Sequence, residues 1–182
     1  MKSKTSRNKW IEASYVLFAE NGPENFSIKR LAELAGLPRT NFYYHFKDND
    51  EVIDEAIKLH IIVAKEYLMV LKDELKNFLP DLHIISVKYP IGLKFVKQLF
   101  LNRETKKYND LYNKLNKMPM PIIVPKMLSY YNLEIEYKIA EELWITVLDT
   151  WYSRLDVNNI NLEVLCELSD SILKSVFNFS KQ

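Results

Sequence analysis

Apolar residues recur along this chain at the spacing of one face of an α-helix. The first run sets Ile11, Tyr15, Phe18 and Ala19 on one side of a helix from about Ser6 to Glu20. Gly22 then stands where a helix C-terminus favours a left-handed residue, and Pro23 prevents continuation. Ser27 has the chemistry of an N-cap, with Phe26 and Leu31 at the two positions of a hydrophobic staple. The pattern predicts a short second helix ending near Leu34, a turn at Gly36, and a third helix opened by Pro38 and running to about Phe46.

Asp48 and Glu51 form a carboxylate capping box that opens a long fourth helix. Its apolar stripe, interrupted by His60, runs from Val52 through Leu75 to about Asn77. Pro80, Pro90, Gly92, Pro119, Pro121 and Pro125 divide the following residues, 81–132, into three or four short helices. Two strong helices close the sequence, roughly Leu133–Leu155 and Leu162–Asn178. Glycine occurs only three times in 182 residues, too rarely for the turns of a β-rich chain, so the expected class is all-α.

Composition narrows the class further. Apolar residues make up 48% and charged residues 27%, which excludes disorder from poor hydrophobicity. The net charge of +1 does not advertise a nucleic-acid partner, but its distribution is uneven. Residues 1–48 hold eight Lys/Arg against five Asp/Glu, a net +3, and the remainder is −2. Lys2 to Thr5 read as a short basic arm. The lone Cys166 forms no intramolecular disulfide and no cysteine metal site, and reads as a small buried apolar residue. With no apolar run of membrane-spanning length and no signal-peptide pattern, the expectation is a cytoplasmic protein without membrane contact.

Residues 28–47 carry the candidate chemistry. Two short helices joined by a tight turn need a small residue where they approach, and Ala32 supplies it. Four positions later Gly36 makes the turn, and Leu31, Ala35, Leu37 and Phe42 supply the contacts between the helices. This is a helix-turn-helix pattern, whose second helix lies in the major groove of DNA. A plain helical hairpin has the same spacing, and the third helix decides between them. With Phe42 and Phe46 inward, it presents Arg39, Thr40, Asn41, Tyr43, Tyr44 and His45, all hydrogen-bond donors and none acidic. A carboxylate entering a polyanionic groove would be repelled and stripped of water.

The run Ala35-Gly36-Leu37, then Phe42-Tyr43-Tyr44-His45-Phe46-Lys47 and Asp48 to Ile53, resembles the DNA-binding signature of the TetR family. Phe18-Ala19-Glu20-Asn21-Gly22 and Phe26-Ser27-Ile28 resemble its opening helix and turn. The resemblance covers about residues 6–60 and implies a three-helix DNA-binding head, a helical body that dimerises, and a ligand pocket in that body. The expected division is a head at 1–48 and a ligand-binding and dimerisation body at 49–182. Three positions depart from the family pattern: Pro38 and Thr40, where Ser and Gly are usual, and Asn49, where a phosphate-gripping lysine is common. Asn49→Lys is therefore expected to tighten binding to any DNA and to steepen its salt dependence.

Arg39 is the first choice for a base contact, through bidentate bonds to guanine, and Asn41 is matched to adenine. Tyr43 and His45 suit phosphates, with Thr40 on the same surface and Tyr44 beside them or partly buried. Lys29, Arg30, Lys47 and the Ser27 amide would fix the backbone register. In the body, Phe95, Phe100, Tyr108, Tyr112, Met127, Tyr131, Trp144 and Trp151 are candidates for an apolar pocket, or equally for plain core. Leu148, Tyr152, Leu165, Leu168, Ile172 and Val176 are candidates for a dimer interface between the two terminal helices of each copy, because these helices are apolar on more than one side. His60 and His83 read as satisfied buried polar groups. The predicted partners are operator DNA, a small apolar or aromatic effector and a second copy, with no cofactor, no metal and no catalytic residue. The alternative is a helical adaptor that uses its helix-turn-helix for protein contacts.

Overall fold

A computed structural model describes residues 5–177 of the chain. Lys2 and Lys4 of the expected basic arm lie outside them, as do Asn178 and the Phe177 side chain. Among the described residues there are ten α-helices and no strand: α1 Ser6–Asn21, α2 Ile28–Ala35, α3 Arg39–Phe42, α4 Asn49–Glu74, α5 Asp81–Ser86, α6 Pro90–Leu101, α7 Lys106–Lys117, α8 Met120–Tyr131, α9 Tyr137–Arg154 and α10 Leu162–Phe177. Helices α1 to α3 form the head, and α4 runs from the head into the body.

Local chemistry places the head's boundaries. The Thr5 hydroxyl accepts from the Asn8 amide to open α1, and Gly22, at φ 71°, closes it by donating to the Phe18 carbonyl. The Ser27 hydroxyl caps α2 by accepting from the Arg30 amide. Gly36 ends α2 in the left-handed region, where its own amide and that of Leu37 reach the Glu33 and Ala32 carbonyls. Asp48 caps α4 through the Glu51 amide, while the Glu51 carboxylate reaches back to the Lys47 amide.

Helix α1 is buried on two sides, and this positions everything else. One side carries Trp10, whose ring meets Phe42 edge-on at 5.4 Å. The other carries Tyr15 and Phe18, which pack on Phe95 of α6 at 5.2 and 4.5 Å. Between them the Ser14 hydroxyl donates to the Val52 carbonyl of α4, a bond that needs the two helices close together. His60 of α4 stacks on Phe95 at 4.2 Å, and its Nδ1 lies 3.2 Å from the Tyr15 hydroxyl.

Several boundaries differ from the sequence expectation. Helix α3 is four residues long, not nine, and Pro38 is its N-cap rather than its first helical residue. From Tyr43 to His45 the chain keeps turning, but the Tyr44 and His45 amides bond three residues back, a tighter winding than the α-helix. Helix α4 stops at Glu74 because the Asp81 carboxylate takes the Lys76 and Asn77 amides. Pro125 lies inside α8 and does not divide it, at the cost of the one bond its missing N–H would make. Helix α9 starts at Tyr137 because Asn132, left-handed at φ 53°, ends α8 and residues 133–136 lie outside any helix. Cys166 is half-buried rather than enclosed.

The two histidines also differ from expectation, since each keeps a buried Nε2 without a hydrogen-bond partner. Burial alone holds the His60 imidazole down at about 3, and burial, opposed weakly by Asp170, holds His83 at about 4, against an ordinary 6.5. Both are neutral in the fold, while the unfolded chain takes up a proton as pH falls below about 6.5. Stability is therefore full above that value and declines as pH falls toward the folded values. The slope approaches about 1.4 kcal/mol per pH unit for each histidine. Urea unfolding at about pH 7.5 and about pH 5 is expected to show a loss of roughly 2 kcal/mol per histidine, with His60→Gln removing its share.

Candidate nucleic-acid interface

The unit formed by α2, its turn and α3 presents one continuous surface. Lys29, Arg30, Arg39, Thr40 and Lys47 are exposed, and Tyr43 and Tyr44 are 65% and 83% exposed. Two large aromatic side chains held in water on so small a unit are costly unless a partner covers them. Tyr44 thus stands out from the surface and is not partly buried. Ser27, Asn41 and His45 are half-buried.

Electrostatics mark this surface, and exposed Lys9 of α1 is likewise without an ion pair among the described residues. Among the described residues, Lys29, Arg30, Arg39 and Lys47 have no ion-pair partner. Cations nearby behave differently: Arg7 meets Glu55 at 3.3 Å, Lys94 meets Glu20 at 2.6 Å, and Lys107 pairs with Asp54. The Asp48 and Glu51 carboxylates accept from backbone amides at the start of α4, while Glu33 of α2 and Asp50 are exposed and pair with none of the four. Four cations are thereby left for an external anion.

The side chain of Asn41 is not simply free to read bases. Its Oδ1 accepts from the Trp10 indole N–H at 3.0 Å, so it ties α3 to α1. Trp10, fully buried beneath the recognition surface, was missed by sequence reasoning, although Trp10, Ser14 and Leu17 form a second helical stripe. Asn49 is half-buried and faces the head: its Nδ2 donates to the Phe26 carbonyl at 3.3 Å, and its Oδ1 is buried without a partner. It holds the turn before α2 against the start of α4.

The body contains a cavity of about 140 Å³. Its wall takes His60, Val63, Ala64, Tyr67 and Leu68 from α4, His83 and Ser86 from α5, Leu93 and Val96 from α6, and Asn116 from α7. Helix α9 adds Trp144, Val147, Leu148, Trp151 and Tyr152, and α10 adds Ser169 and Leu173. Of the sequence candidates, Trp144 and Trp151 line it. Phe95, Phe100, Tyr108, Tyr112, Met127 and Tyr131 do not, because other contacts occupy them. Phe95 and Tyr108 pack on Phe18, Phe100 and Tyr112 on each other, and Tyr131 on Phe78, while Met127 is fully buried. Among the dimer candidates, Tyr152, Leu165 and Ile172 are buried within the single chain. Leu148, Leu168 and Val176 are half-buried.

Comparison with known proteins bears on this head directly. Residues 11–56 match the family model for bacterial regulatory proteins of the tetR family. The match spans the head from α1 through α3 and the first turns of α4. An HTH-type transcriptional regulator of Staphylococcus aureus (strain USA300) is 29% identical over 72 residues, which is 40% of this chain and 39% of that relative's length. Two solved structures share the fold of nearly the whole chain. A TetR-family transcriptional regulator from Streptomyces coelicolor aligns with a TM-score of 0.60 at 15% identity, covering 94% of this chain and 80% of the other. A transcriptional regulator from Aquifex aeolicus VF5 aligns with a TM-score of 0.55 at 21% identity, covering 95% and 100%. The TetR-like all-α fold of head and body is thus common to all three, and no helix among the described residues is long and apolar enough to cross a membrane.

Two substitutions test the scaffold of this surface. Trp10→Phe keeps an aromatic ring but removes the donor to Asn41, and is expected to lower unfolding stability by about 1–3 kcal/mol in a denaturant titration. Asn49→Lys must give up the bond to the Phe26 carbonyl. Whatever it adds on DNA, it is expected to cost about 1 kcal/mol of stability, visible as a lower melting temperature.

Proposed function

We propose that this protein is a dimeric DNA-binding transcriptional regulator, a repressor whose α2–α3 unit enters the major groove and which leaves its operator when a small, largely apolar molecule occupies the body. The observation that carries the reading is the set of four unpaired cations, Lys29, Arg30, Arg39 and Lys47, on the surface that also exposes Tyr43 and Tyr44. Lys29, Arg30, Lys47, Tyr43, His45 and the Ser27 amide would hold phosphates, and Arg39 would read a base edge from the first turn of α3. With its Oδ1 engaged by Trp10, Asn41 keeps its amide N–H groups for a contact with DNA.

Dimerisation is supported by the outer sides of α9 and α10. Ile139 is half exposed, and Leu143, Val164, Leu168 and Val176 each leave part of their apolar surface open. Release by a ligand requires the ligand to bind the DNA-incompetent arrangement better than the competent one. A route exists because His60 lines the cavity and also meets Tyr15 of α1.

Selection from random DNA is expected to return near-palindromic sites whose half-sites lie about 34–36 Å apart, or a multiple of that, on one side of the duplex. Recovery of asymmetric sites only, or of none, would sink the reading. Light scattering of the free protein is expected to give a dimer. Arg39→Ala should relax preference at one base pair per half-site and cost roughly 1–3 kcal/mol per lost contact. Tyr43→Phe should weaken all sites alike, as the loss of a phosphate contact does. Both are read by fluorescence anisotropy on operator and scrambled duplexes.

A further inference from the structure

The cavity wall has a chemical bias that defines what it takes. No Asp, Glu, Lys or Arg is among its residues. Bringing an ion into such a place costs several kcal/mol unless a counter-charge meets it. Its two histidines are kept neutral by burial and supply none.

Apart from the Tyr89 and Tyr152 hydroxyls, which can donate or accept, the polar groups of the wall divide into two sets. Ser86 Oγ donates to the Leu82 carbonyl at 2.7 Å, so the Tyr67 hydroxyl, 3.0 Å away, donates to Ser86. The Trp151 indole N–H donates to Ser169 at 3.1 Å. These groups are closed within the protein. Four buried atoms of wall residues have no partner: His60 Nε2, His83 Nε2, Asn116 Nδ2 and Trp144 Nε1. An indole and an amide nitrogen can only donate. His60 Nδ1 lies 3.2 Å from the Tyr15 hydroxyl, and the imidazole tautomer sets which of the two donates, so His60 Nε2 is a donor in one tautomer and an acceptor in the other. Asn116 and Trp144 of the wall therefore hold two donors in want of an acceptor, and no Asp, Glu, Lys or Arg lines the cavity.

Resting on the reading that the cavity is the effector site, we propose that its ligand is an uncharged molecule of about one aromatic ring that bears a carbonyl-type hydrogen-bond acceptor, met by the donors of Asn116 and Trp144. The size follows from the volume: an apolar cavity of similar volume holds benzene. The acceptor follows from the cost of leaving buried donors unpaired, which a purely apolar ligand does not relieve.

Three probes of nearly equal shape separate the possibilities. Acetophenone has the ring and a neutral acceptor, α-methylstyrene replaces its oxygen by a methylene group, and benzoate is charged. Calorimetric titration of the intact protein without DNA is expected to find acetophenone bound about three- to tenfold more tightly than α-methylstyrene, the range of one or two net hydrogen bonds, with benzoate weakest. The double variant Asn116→Leu/Trp144→Phe should bring acetophenone and α-methylstyrene to within about twofold of each other, because both donors are then gone. Equal affinities in the unaltered protein overturn the proposal. So does benzoate binding most tightly, or no probe binding at millimolar concentration. Operator affinity is measured separately. Selective acetophenone binding that leaves operator affinity unchanged supports this ligand class and overturns release by cavity binding. Release by a charged compound held in the cavity does the reverse.

Discussion

The double burial of α1 is the constraint on which the rest of this molecule depends. A helix that packed on one side only would belong to the head. Here Trp10 faces α3, while Tyr15 and Phe18 face Phe95 and, for Phe18, also Tyr108 in the body. Each such aromatic contact adds about 0.5–1.5 kcal/mol beyond the area it buries, and several of them act on one helix. The Ser14–Val52 bond then fixes how closely α4 approaches. Helix α1 thus joins the α2–α3 unit to the wall of the cavity through side chains in direct contact, Trp10 on Phe42 and Tyr15 on His60.

The same arrangement explains why charge is distributed as it is. On the flank of the head facing α4, α6 and α7, cations are neutralised by Glu55, Glu20 and Asp54. Such exposed pairs contribute little to stability, about 0–1 kcal/mol each. They leave Lys29, Arg30, Arg39 and Lys47 of the α2–α3 surface without a neutralising partner among the described residues. A near-neutral chain thus acquires a polar direction without high net charge.

What was legible in the sequence was what neighbouring residues decide among themselves. Ser27, Gly36 and Asp48 end or begin helices through bonds to residues within five positions, and all three behave as their types predict. Helix α3 was misjudged because its length depends on how Phe42 and Phe46 meet Trp10 and Arg7, contacts more than thirty residues away in sequence. Asn41 has a bond that no local pattern announces. In the body, aromatic character alone does not tell a cavity wall from a core. Phe95 and Trp144 are alike in composition, and only the packing of α1 on α6 puts the first in the core. His60 interrupts an apolar stripe, which marks it as unusual, but its partner Tyr15 is 45 residues away.

Gly22 shows how little freedom this joint leaves. A Cβ built there would lie 2.5 Å from Gln98 Oε1 of α6, the end of a side chain that can move aside, so it is the left-handed φ of 71° that reserves this place at the end of α1 for glycine. A chimera carrying residues 1–48 onto an unrelated helical body would strip Tyr15 and Phe18 of Phe95 and would set Gly22 against a foreign surface. The portable unit is therefore not the head as the sequence divides it. It is the head together with α4 and the face of α6 that receives α1, and specificity exchanged between such proteins has to be cut around that unit.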